Sequence, residues 1–324
     1  MSLPVDNLCA CIDIGTNSVK LIIARLTATE AVSVYELSST TRLGEGLSSS
    51  ANSRQLMESA MCRTIDTLTQ FRAALDQYQV TSIACVGTAA LRDAENSGHF
   101  VNRAKLKTDL DIEVISGEEE ARLSFLAVRL DPNWRTASDL WVVDVGGGST
   151  ELIHGVPGTT SIESRVSVNL GAVKLTERFL RSEPPTLQQL EDANRAAQFA
   201  FSAVASGHDI PHSGVVVGVG GTLTTLSAMV IGGFKDPARI HGYRLTADDL
   251  EVQISRLASA TIAQRQTFEG LDPARADIIL GGAIVLSHGL ASFGATSISA
   301  STRGLRWGVL YDRFLNSSVT SRTL

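Results

Sequence analysis

Short apolar runs, closed by glycine or small polar residues, recur from the first residues of the chain onward. Runs at 8–14 and 19–26 are separated by a four-residue turn. Runs of this length, rich in β-branched residues and bounded by turn residues, are typical of β-strands. The same pattern predicts further strands at 32–37, 81–86, 112–115, 140–145, 151–155, 215–219 and 296–300.

A longer periodicity appears between these runs. From 53 to 78, apolar residues recur every three or four positions, which predicts an amphipathic helix. Helical segments are also predicted over 88–110, from 116 onward, and over most of the chain after 222. The apolar stretch 278–290 contains two glycines, a serine and a histidine and is shorter than the roughly 20 residues that span a bilayer, so it predicts a buried helix. Strands mixed with helices predict an α/β protein with mixed sheets.

A short sequence motif near the beginning of the chain recurs near its middle. The sequence Asp-Ile-Gly-Thr-Asn-Ser at 13–18 matches Asp-Val-Gly-Gly-Gly-Ser at 144–149, and each follows an apolar strand. A repeat of this spacing predicts two similar lobes rather than a solenoid, whose periods are shorter. We place the boundary near Val128, giving lobes at 1–128 and 129–324. A last helix at about 303–316 is a candidate to pack back on the first lobe.

Composition and charge narrow the class of protein. The 324 residues carry a formal net charge of −6, which argues against a protein that coats a nucleic acid polymer. The four cysteines form no C-x-x-C pair, as expected in a reducing compartment. No basic segment followed by an apolar one begins the chain. We therefore expect a cytoplasmic protein that is not embedded in a membrane.

Three turns rich in glycine and small residues are candidate phosphate sites. Without Cβ atoms the backbone can approach a ligand closely, and successive N–H groups can form an anion-binding nest. A plain hairpin is the alternative, although two turns sharing an acid-x-Gly pattern disfavour it. The Walker, dinucleotide-binding and G-x-S-x-G motifs do not occur in the sequence. The candidate phosphate-binding residues of the turns are Gly15, Thr16, Asn17, Ser18, Gly146, Gly147, Gly148, Ser149, Thr150, Gly221 and Thr222.

The first two turns differ in the charge that follows them. Seven residues beyond Asp144 lies Glu151, whereas seven residues beyond Asp13 lies Lys20. Two carboxylates suit a hard cation such as Mg²⁺, while a lysine attracts phosphate and repels a cation. We therefore predict that Asp144 and Glu151 hold magnesium and that Lys20 binds phosphate. An Asx-type turn at the end of each strand is the alternative for both aspartates.

These residues resemble a known family. The two Asp-x-Gly turns and the later Gly-Gly-Thr are similar to the acetate kinase, sugar kinase, Hsp70 and actin superfamily. Within it, the chain resembles the exopolyphosphatase and guanosine pentaphosphate phosphohydrolase (Ppx/GppA) family, in a short form without C-terminal helical domains. The motifs that carry this resemblance are Gly87–Ala94, Ile115–Arg122, Asp144–Glu151, His241-Gly242-Tyr243 and Gly304-Leu305-Arg306.

The resemblance implies a two-lobed actin-like (ribonuclease H-like) fold with mixed sheets and an active site in the cleft between the lobes. It also implies that the glutamate directly before Ala-Arg, Glu120, is catalytic. Glu119 instead fits a capping box with Ser116, and Glu118 lies in the first helical turn, where carboxylates are favourable. Helix-start charge is the alternative for all three. Arg92 is a candidate phosphate clamp or, alternatively, a helix-surface arginine.

The expected activity is magnesium-dependent hydrolysis of the terminal phosphate of inorganic polyphosphate. Guanosine pentaphosphate is the alternative substrate, because the same terminal phosphoryl chemistry applies. A superfamily kinase and a non-catalytic polyphosphate or alarmone sensor are alternatives of other classes. The resemblance also implies a homodimer. The sequence leaves open whether Arg303 and Arg306 touch substrate or pack across the lobes.

Overall fold

The structure is a computed structural model that describes residues 8–27, 30–47, 54–156, 158–205, 214–233, 237–292 and 294–315. Its internal contacts divide the chain into two compact units. The first unit comprises Met1–Ala127 together with Leu305–Leu324, and the second comprises Val128–Gly304. The sequence had placed the segment after Gly304 in the second lobe, with its last helix packing back on the first.

The first unit is built on a five-stranded mixed sheet. Its spatial order is β3-β2-β1-β4-β5. The first three strands form an antiparallel meander, and β4 and β5 run parallel to β1. The strands are β1 (Leu8–Ile14), β2 (Ser18–Leu26), β3 (Ala31–Thr40), β4 (Ser82–Gly87) and β5 (Ile112–Val114).

Helices cover this sheet and bury its apolar side chains. Along α1, residues Ile65, Leu68 and Leu75 recur at helical spacing and belong to one buried cluster with the sheet residues Ile12 and Leu21. The helix and the sheet therefore share one hydrophobic core. The helices are α1 (Glu58–Gln77), α2 (Ala89–Asp93), α3 (Ser97–Thr108) and α4 (Gly117–Arg129).

The second unit contains a six-stranded mixed sheet. Its order is β10-β11-β9-β6-β7-β8. The strands β6, β7 and β8 form an antiparallel meander, β9 is parallel to β6, β11 is parallel to β9, and β10 is antiparallel to β11. The strands are β6 (Leu140–Val145), β7 (Thr150–Gly155), β8 (Ile162–Val168), β9 (Val215–Val219), β10 (Arg244–Thr246) and β11 (Ser297–Ala300).

One helix of the second unit is apolar almost throughout. Residues 279–286 are all buried in it, as the sequence predicts for a core helix. The helices are α5 (Ala172–Phe179), α6 (Leu187–Ala205), α7 (Gly221–Val230), α8 (Pro237–Ile240), α9 (Ala247–Ala258), α10 (Ile262–Arg265), a 3₁₀ turn at Pro273–Arg275, and α11 (Ile279–Ser292). In the first unit, α12 (Leu305–Leu310) and a π-helical turn at Tyr311–Leu315 complete the described chain.

The two sheets repeat one topology. The order β3-β2-β1-β4-β5 corresponds strand for strand to β8-β7-β6-β9-β11, and β10 is an addition to the second sheet. Each copy consists of an antiparallel meander followed by two parallel strands. The motif that recurs in the sequence at 13–18 and 144–149 therefore reflects a structural repeat.

Some elements differ from the predicted ones. Helix α1 begins at Glu58, and 54–57 are not helical, while position 53 lies outside the described residues. The predicted helix over 88–110 is two helices, α2 and α3. Strands β8 and β10 were not predicted. Most side chains of β8 are only partly buried, so its sequence lacks a continuous apolar run, and β10 has three residues.

Candidate active site

The first glycine turn connects β1 to β2 and is fixed by its backbone. The N–H of Gly15 donates to the carbonyl of Ser18 at 3.0 Å. A following loop packs on the turn, because the N–H of Gly44 donates to the Thr16 carbonyl and that of Arg42 to the Asn17 carbonyl, both at 2.9 Å. The carbonyl oxygens of Thr16 and Asn17 therefore both accept hydrogen bonds from this loop.

The second turn, between β6 and β7, uses the same closing hydrogen bond. The N–H of Gly146 donates to the carbonyl of Ser149 at 3.0 Å. Here the beginning of α5 takes the place of the loop: the N–H of Ala172 donates to the Gly146 carbonyl and that of Val173 to the Gly147 carbonyl, both at 2.9 Å. Both turns therefore have their peptide groups held from the protein side.

This arrangement decides where the N–H groups of the turns point. In a trans peptide the C=O and the following N–H point in opposite directions. Because the Gly146 and Gly147 carbonyls face α5, the N–H groups of Gly147 and Gly148 face away from it. The same reasoning applies to the N–H groups of Asn17 and Ser18 in the first turn. Each turn thus presents a short row of donors suited to an anion.

The side chain of Asn17 adds a further donor to the first turn. Asn17 is 8% exposed, and among the described residues its Nδ2 has no hydrogen-bond partner. A buried amide without an acceptor is costly, and a phosphate oxygen would satisfy it. This observation agrees with the predicted role of the turn.

The charged residues after the two turns are cross-strand partners. Asp13 lies directly opposite Lys20 on β1 and β2, and Asp144 lies directly opposite Glu151 on β6 and β7. Burial raises the pKa of Asp13, and the positive charges of Lys20 and Arg306 oppose that shift. The equivalent positions of the two sheets thus hold an acid–base pair in one and two acids in the other.

The pair of carboxylates in the second unit fits a divalent cation. Like charges directly opposite each other on neighbouring strands repel, and a cation between them would relieve this repulsion. Glu151 is 2% exposed, and the Ser167 hydroxyl donates to its Oε1 at 3.2 Å. Mg²⁺ is commonly held by one or two carboxylates and several waters, so this donor set is chemically adequate. Within the described residues, no group of three or more His, Cys, Asp or Glu side chains is arranged to hold a metal.

The third turn lies against the same aspartate. Gly220 has φ +90°, a conformation that favours glycine, and a Cβ there would lie 2.9 Å from Asp144 Oδ1. At the next residue, Gly221, a Cβ would lie 2.3 Å from the Arg275 guanidinium. Burial lowers the pKa of Arg275, and Asp272 opposes that shift. The structure therefore brings the third turn, Asp144 and the half-buried Arg275 together.

The glutamates at the beginning of α4 have different partners. The Ser116 hydroxyl accepts a hydrogen bond from the Glu119 N–H at 3.1 Å, which confirms half of the predicted capping box. Both carboxylate oxygens of Glu119 accept from Arg122 at 2.8 Å, and this pairing is the largest cause of the lowered pKa of Glu119. Glu120 instead pairs with Arg92, whose NH1 lies 2.6 Å from Glu120 Oε2. The two candidate residues predicted separately are thus in direct contact.

Comparison with known proteins identifies the family. The model of the Ppx/GppA phosphatase family matches residues 22–317. This chain belongs to the Ppx/GppA phosphatase family. The predictions of a phosphatase, and of the two-lobed fold of that family, are confirmed.

Individual relatives of this Ppx/GppA chain show how far the likeness extends. Exopolyphosphatase 2 of Mycobacterium tuberculosis is 35% identical over 290 residues, covering 86% of this chain and 88% of that protein. A crystal structure of the Aquifex aeolicus family member has a TM-score of 0.78 at 30% identity and covers 96% of this chain and 98% of the other. A bifunctional 3-dehydroquinate synthase/phosphatase of Fusobacterium nucleatum is 30% identical over 94% of this chain, which spans only 46% of that protein.

Some predicted site residues of this Ppx/GppA member have side chains engaged within the protein. The Thr150 hydroxyl is fully buried and donates to the Leu170 carbonyl at 2.7 Å. The Thr222 side chain packs against Gly282 of α11. Arg306 donates to the Leu21 carbonyl at 2.8 Å. For Thr150 and Thr222, contact with phosphate stays a prediction.

The sequence pattern did not indicate two residues that support the turns, Gly171 and Arg275. Gly171 precedes α5, and a Cβ there would lie 2.5 Å from the Gly146 carbonyl oxygen. Arg275 lies far from the turns in sequence, and nothing in its Asp-Pro-Ala-Arg context indicates a ligand site. A Gly-Ala pair before a helix is the one available signal for Gly171. Within the described residues, none of the helices combines the length and apolar character that crossing a membrane requires.

Proposed function

We propose that this chain is an exopolyphosphatase that hydrolyses the terminal phosphate of inorganic polyphosphate. The ion pair between Arg92 and Glu120 carries the proposal. Both residues follow parallel strands of the first sheet, after β4 and β5, so they lie on the same sheet edge as the first glycine turn. A carboxylate and an arginine beside a phosphate turn can supply a base and a phosphate contact.

Glu120 is assigned as the base. It orients a water molecule whose oxygen forms a bond to the terminal phosphorus, while the bond from that phosphorus to the bridging oxygen breaks. The water proton passes to the Glu120 carboxylate, and the shortened chain leaves as an anion. Phosphoryl transfer depends chiefly on positioning and charge stabilisation, which this small set of residues can provide.

The first turn binds the group that is transferred. The N–H groups of Asn17 and Ser18 and the amide of Asn17 donate to phosphate oxygens, and Lys20 adds a positive charge. In the second unit, the N–H groups of Gly147 and Gly148 offer the same kind of donor to a phosphate group. Such donors are fixed before the substrate arrives, so little reorganisation is needed during reaction.

Asp144 and Glu151 would hold Mg²⁺. When bound, the ion would neutralise negative charge on the phosphoryl oxygens. The two side chains are suited to this by their opposite positions on β6 and β7 and by the contact of Asp144 with the third turn. The cation is part of the proposal, as are a cytoplasmic location and the homodimer implied by the resemblance.

The choice of substrate rests on a relative. The Mycobacterium protein, at 35% identity, is named an exopolyphosphatase. Release of phosphate from purified protein should be followed with polyphosphate, guanosine pentaphosphate and ATP in parallel, each with Mg²⁺. We expect the highest kcat/KM with polyphosphate. A higher kcat/KM with guanosine pentaphosphate would make that compound the substrate instead of polyphosphate. Transfer of phosphate from ATP to an acceptor would contradict hydrolysis as the activity.

A further inference from the structure

The loop Ser301–Gly304 lies on the same edge of the second sheet as the glycine turns. Strands β6, β9 and β11 are parallel, so the segments after their carboxyl ends share one edge. The Ser301 N–H donates to the Gly218 carbonyl at 2.8 Å. A Cβ on Gly304 would lie 3.6 Å from the Cβ of Val219, the residue just before the third turn. The loop therefore borders that turn.

A buried carboxylate holds this loop from the other side. Asp131 is 1% exposed, and its Oδ1 accepts the N–H of Asn133 at 3.0 Å. His241 Nε2 forms a hydrogen bond with the same Oδ1 at 3.4 Å, and Arg303 NH1 lies 3.4 Å from Oδ2 as an ion pair. Asp131, His241 and Arg303 are called the Asp131 cluster below. The cluster connects the beginning of the second unit to the loop.

The hydrogen bonds of His241 define its tautomer. The Thr302 N–H donates to His241 Nδ1 at 3.3 Å, so Nδ1 is an acceptor. Nε2 on the other side of the ring is then the donor to Asp131 Oδ1. Trp134 contacts the ring edge-on, with 5.1 Å between ring centroids. The imidazole thus joins the buried carboxylate directly to the backbone of the loop.

This arrangement gives Arg303 a fixed position with part of its surface open. Its side chain is 27% exposed, while the ion pair with Asp131 anchors the guanidinium. A guanidinium held in one orientation presents planar donors that match phosphate oxygens. The carboxylates Asp144 and Glu151 lie near the same edge and would repel an anionic substrate. A positively charged side chain held at this edge offsets that repulsion and favours binding.

We propose that Arg303 binds a phosphate group of the substrate chain and that Asp131 and His241 position it. The inference rests on the proposed function in one respect, namely that the substrate carries several phosphates. The second and third turns, on the same sheet edge as Arg303, also offer donors to phosphate, so Arg303 serves a different phosphate group of the chain. It should therefore influence binding more than the chemical step.

Arg303→Gln tests this directly. We expect the KM for inorganic polyphosphate to rise by roughly 10-fold or more, the usual worth of a charge-assisted hydrogen bond, with kcat changed less than about twofold. The matched control is Arg244→Gln, because Arg244 is an exposed arginine that donates to Ser297 in the same sheet. Equal KM values for both variants would overturn the proposal.

Binding should also be measured without turnover. In protein carrying Glu120→Gln, the dissociation constant for inorganic polyphosphate should rise on adding Arg303→Gln and should not change on adding Arg244→Gln. If the Glu120→Gln protein still hydrolyses polyphosphate, Glu120 is not the base. The difference in dissociation constant between the Arg303→Gln and Arg244→Gln proteins still tests the role of Arg303. An unchanged dissociation constant on adding Arg303→Gln contradicts the role of Arg303 alone.

The positioning role of His241 needs a different measurement. His241→Ala should weaken polyphosphate binding several-fold in the parent protein but add little in the Arg303→Gln protein, because coupled residues are not additive. His241→Asn offers an amide oxygen close to the place of Nδ1 and should restore part of the affinity. An equal loss from His241→Ala in both backgrounds would show that His241 does not act through Arg303.

Discussion

The guanidinium of Arg92 lies 2.6 Å from Glu120 Oε2 and also donates to the carbonyl of Ile115 at 3.2 Å. Arg92 belongs to the short helix after β4, and Glu120 to the first turn of α4. One side chain therefore fixes both the carboxylate and the backbone just before its helix. Arg92 is thus a positioning residue for Glu120 as well as a candidate phosphate contact.

Replacing Arg92 should lower turnover strongly. We expect Arg92→Gln to reduce kcat by about 100-fold, since misplacing a reacting group by about 1 Å can cost that much. Arg92→Lys should recover only part, because lysine keeps the charge but lacks the rigid planar guanidinium whose NH1 donates to both acceptors. Arg103→Gln is the control, as Arg103 also pairs with a glutamate at 2.6 Å in this unit. Similar kcat values for Arg92→Gln and Arg103→Gln would refute the role.

Gly171→Ala should disturb the second turn. A Cβ there would lie 2.5–2.7 Å from backbone atoms of Gly146 and Gly147, so the turn must shift. We expect kcat/KM to fall about 100-fold with the protein still folded. Gly289→Ala in α11 is the control, because its Cβ would make only ordinary contacts with Phe201. Full activity of Gly171→Ala, measured in steady-state assays, would show that the turn geometry is not needed.

Asp144→Asn should weaken magnesium dependence and activity together. A neutral amide loses the charge that would hold the cation. Titration of activity with MgCl₂ should give a higher half-saturating concentration and a lower maximum. Asp139→Asn serves as control, because Asp139 precedes the same strand but pairs with His154 at 2.7 Å. An unchanged magnesium titration for Asp144→Asn would remove Asp144 from the proposed site.

Asp131 should contribute to stability in a pH-dependent way. Burial alone raises its pKa, but the hydrogen bonds from His241 and Asn133, together with the positive charge of Arg303, outweigh burial and leave the pKa below its ordinary value. A carboxyl whose pKa is lower in the folded state than in the unfolded state stabilises the fold at pH values above the unfolded pKa of about 3.9. This contribution is lost as the pH falls through the folded pKa.

Denaturant unfolding of the wild type and Asp131→Asn checks this sign. The difference in their free energies of unfolding should be constant between about pH 5 and 7 and should shrink below about pH 4. A difference that grew on acidification would mean that the carboxyl is protonated in the native state.

Much of the fold follows from local sequence pattern. Strands β1 and β6 match their predicted bounds because each is a continuous apolar run that ends at a glycine turn. The repeated Asp-x-Gly pattern also indicated the repeated topology. Strand β8 escaped prediction because most of its side chains are half-buried, so neither a continuous apolar run nor a strict alternation marks it.

The site was predictable only where its residues belong to local motifs. The turns and the glutamates of α4 could be found in this way, whereas the contact between Arg92 and Glu120 depends on two parallel strands lying side by side. Arg275 reaches Gly221 from a 3₁₀ turn more than fifty positions away. Long-range neighbours of this kind leave no periodic signal in a single sequence.

The glutamates at positions 119 and 120 offer a close comparison. Glu119→Gln loses its paired interaction with Arg122, at an expected cost in folding free energy of about 1 kcal/mol or less, since such pairs are partly exposed. It should keep most of its kcat. Glu118→Gln changes an exposed charge in the same helical turn and should do the same.

The most direct test of the proposed mechanism is the kcat of Glu120→Gln on inorganic polyphosphate, measured with the equilibrium affinity of the same protein for polyphosphate. The amide is close to isosteric, so the variant should fold and bind at least as well as the wild type. We expect kcat to fall by roughly two to four orders of magnitude, the usual worth of a positioned general base. A kcat within a few-fold of the wild type, with Glu119→Gln inactive instead, would contradict the assignment of Glu120 as the base.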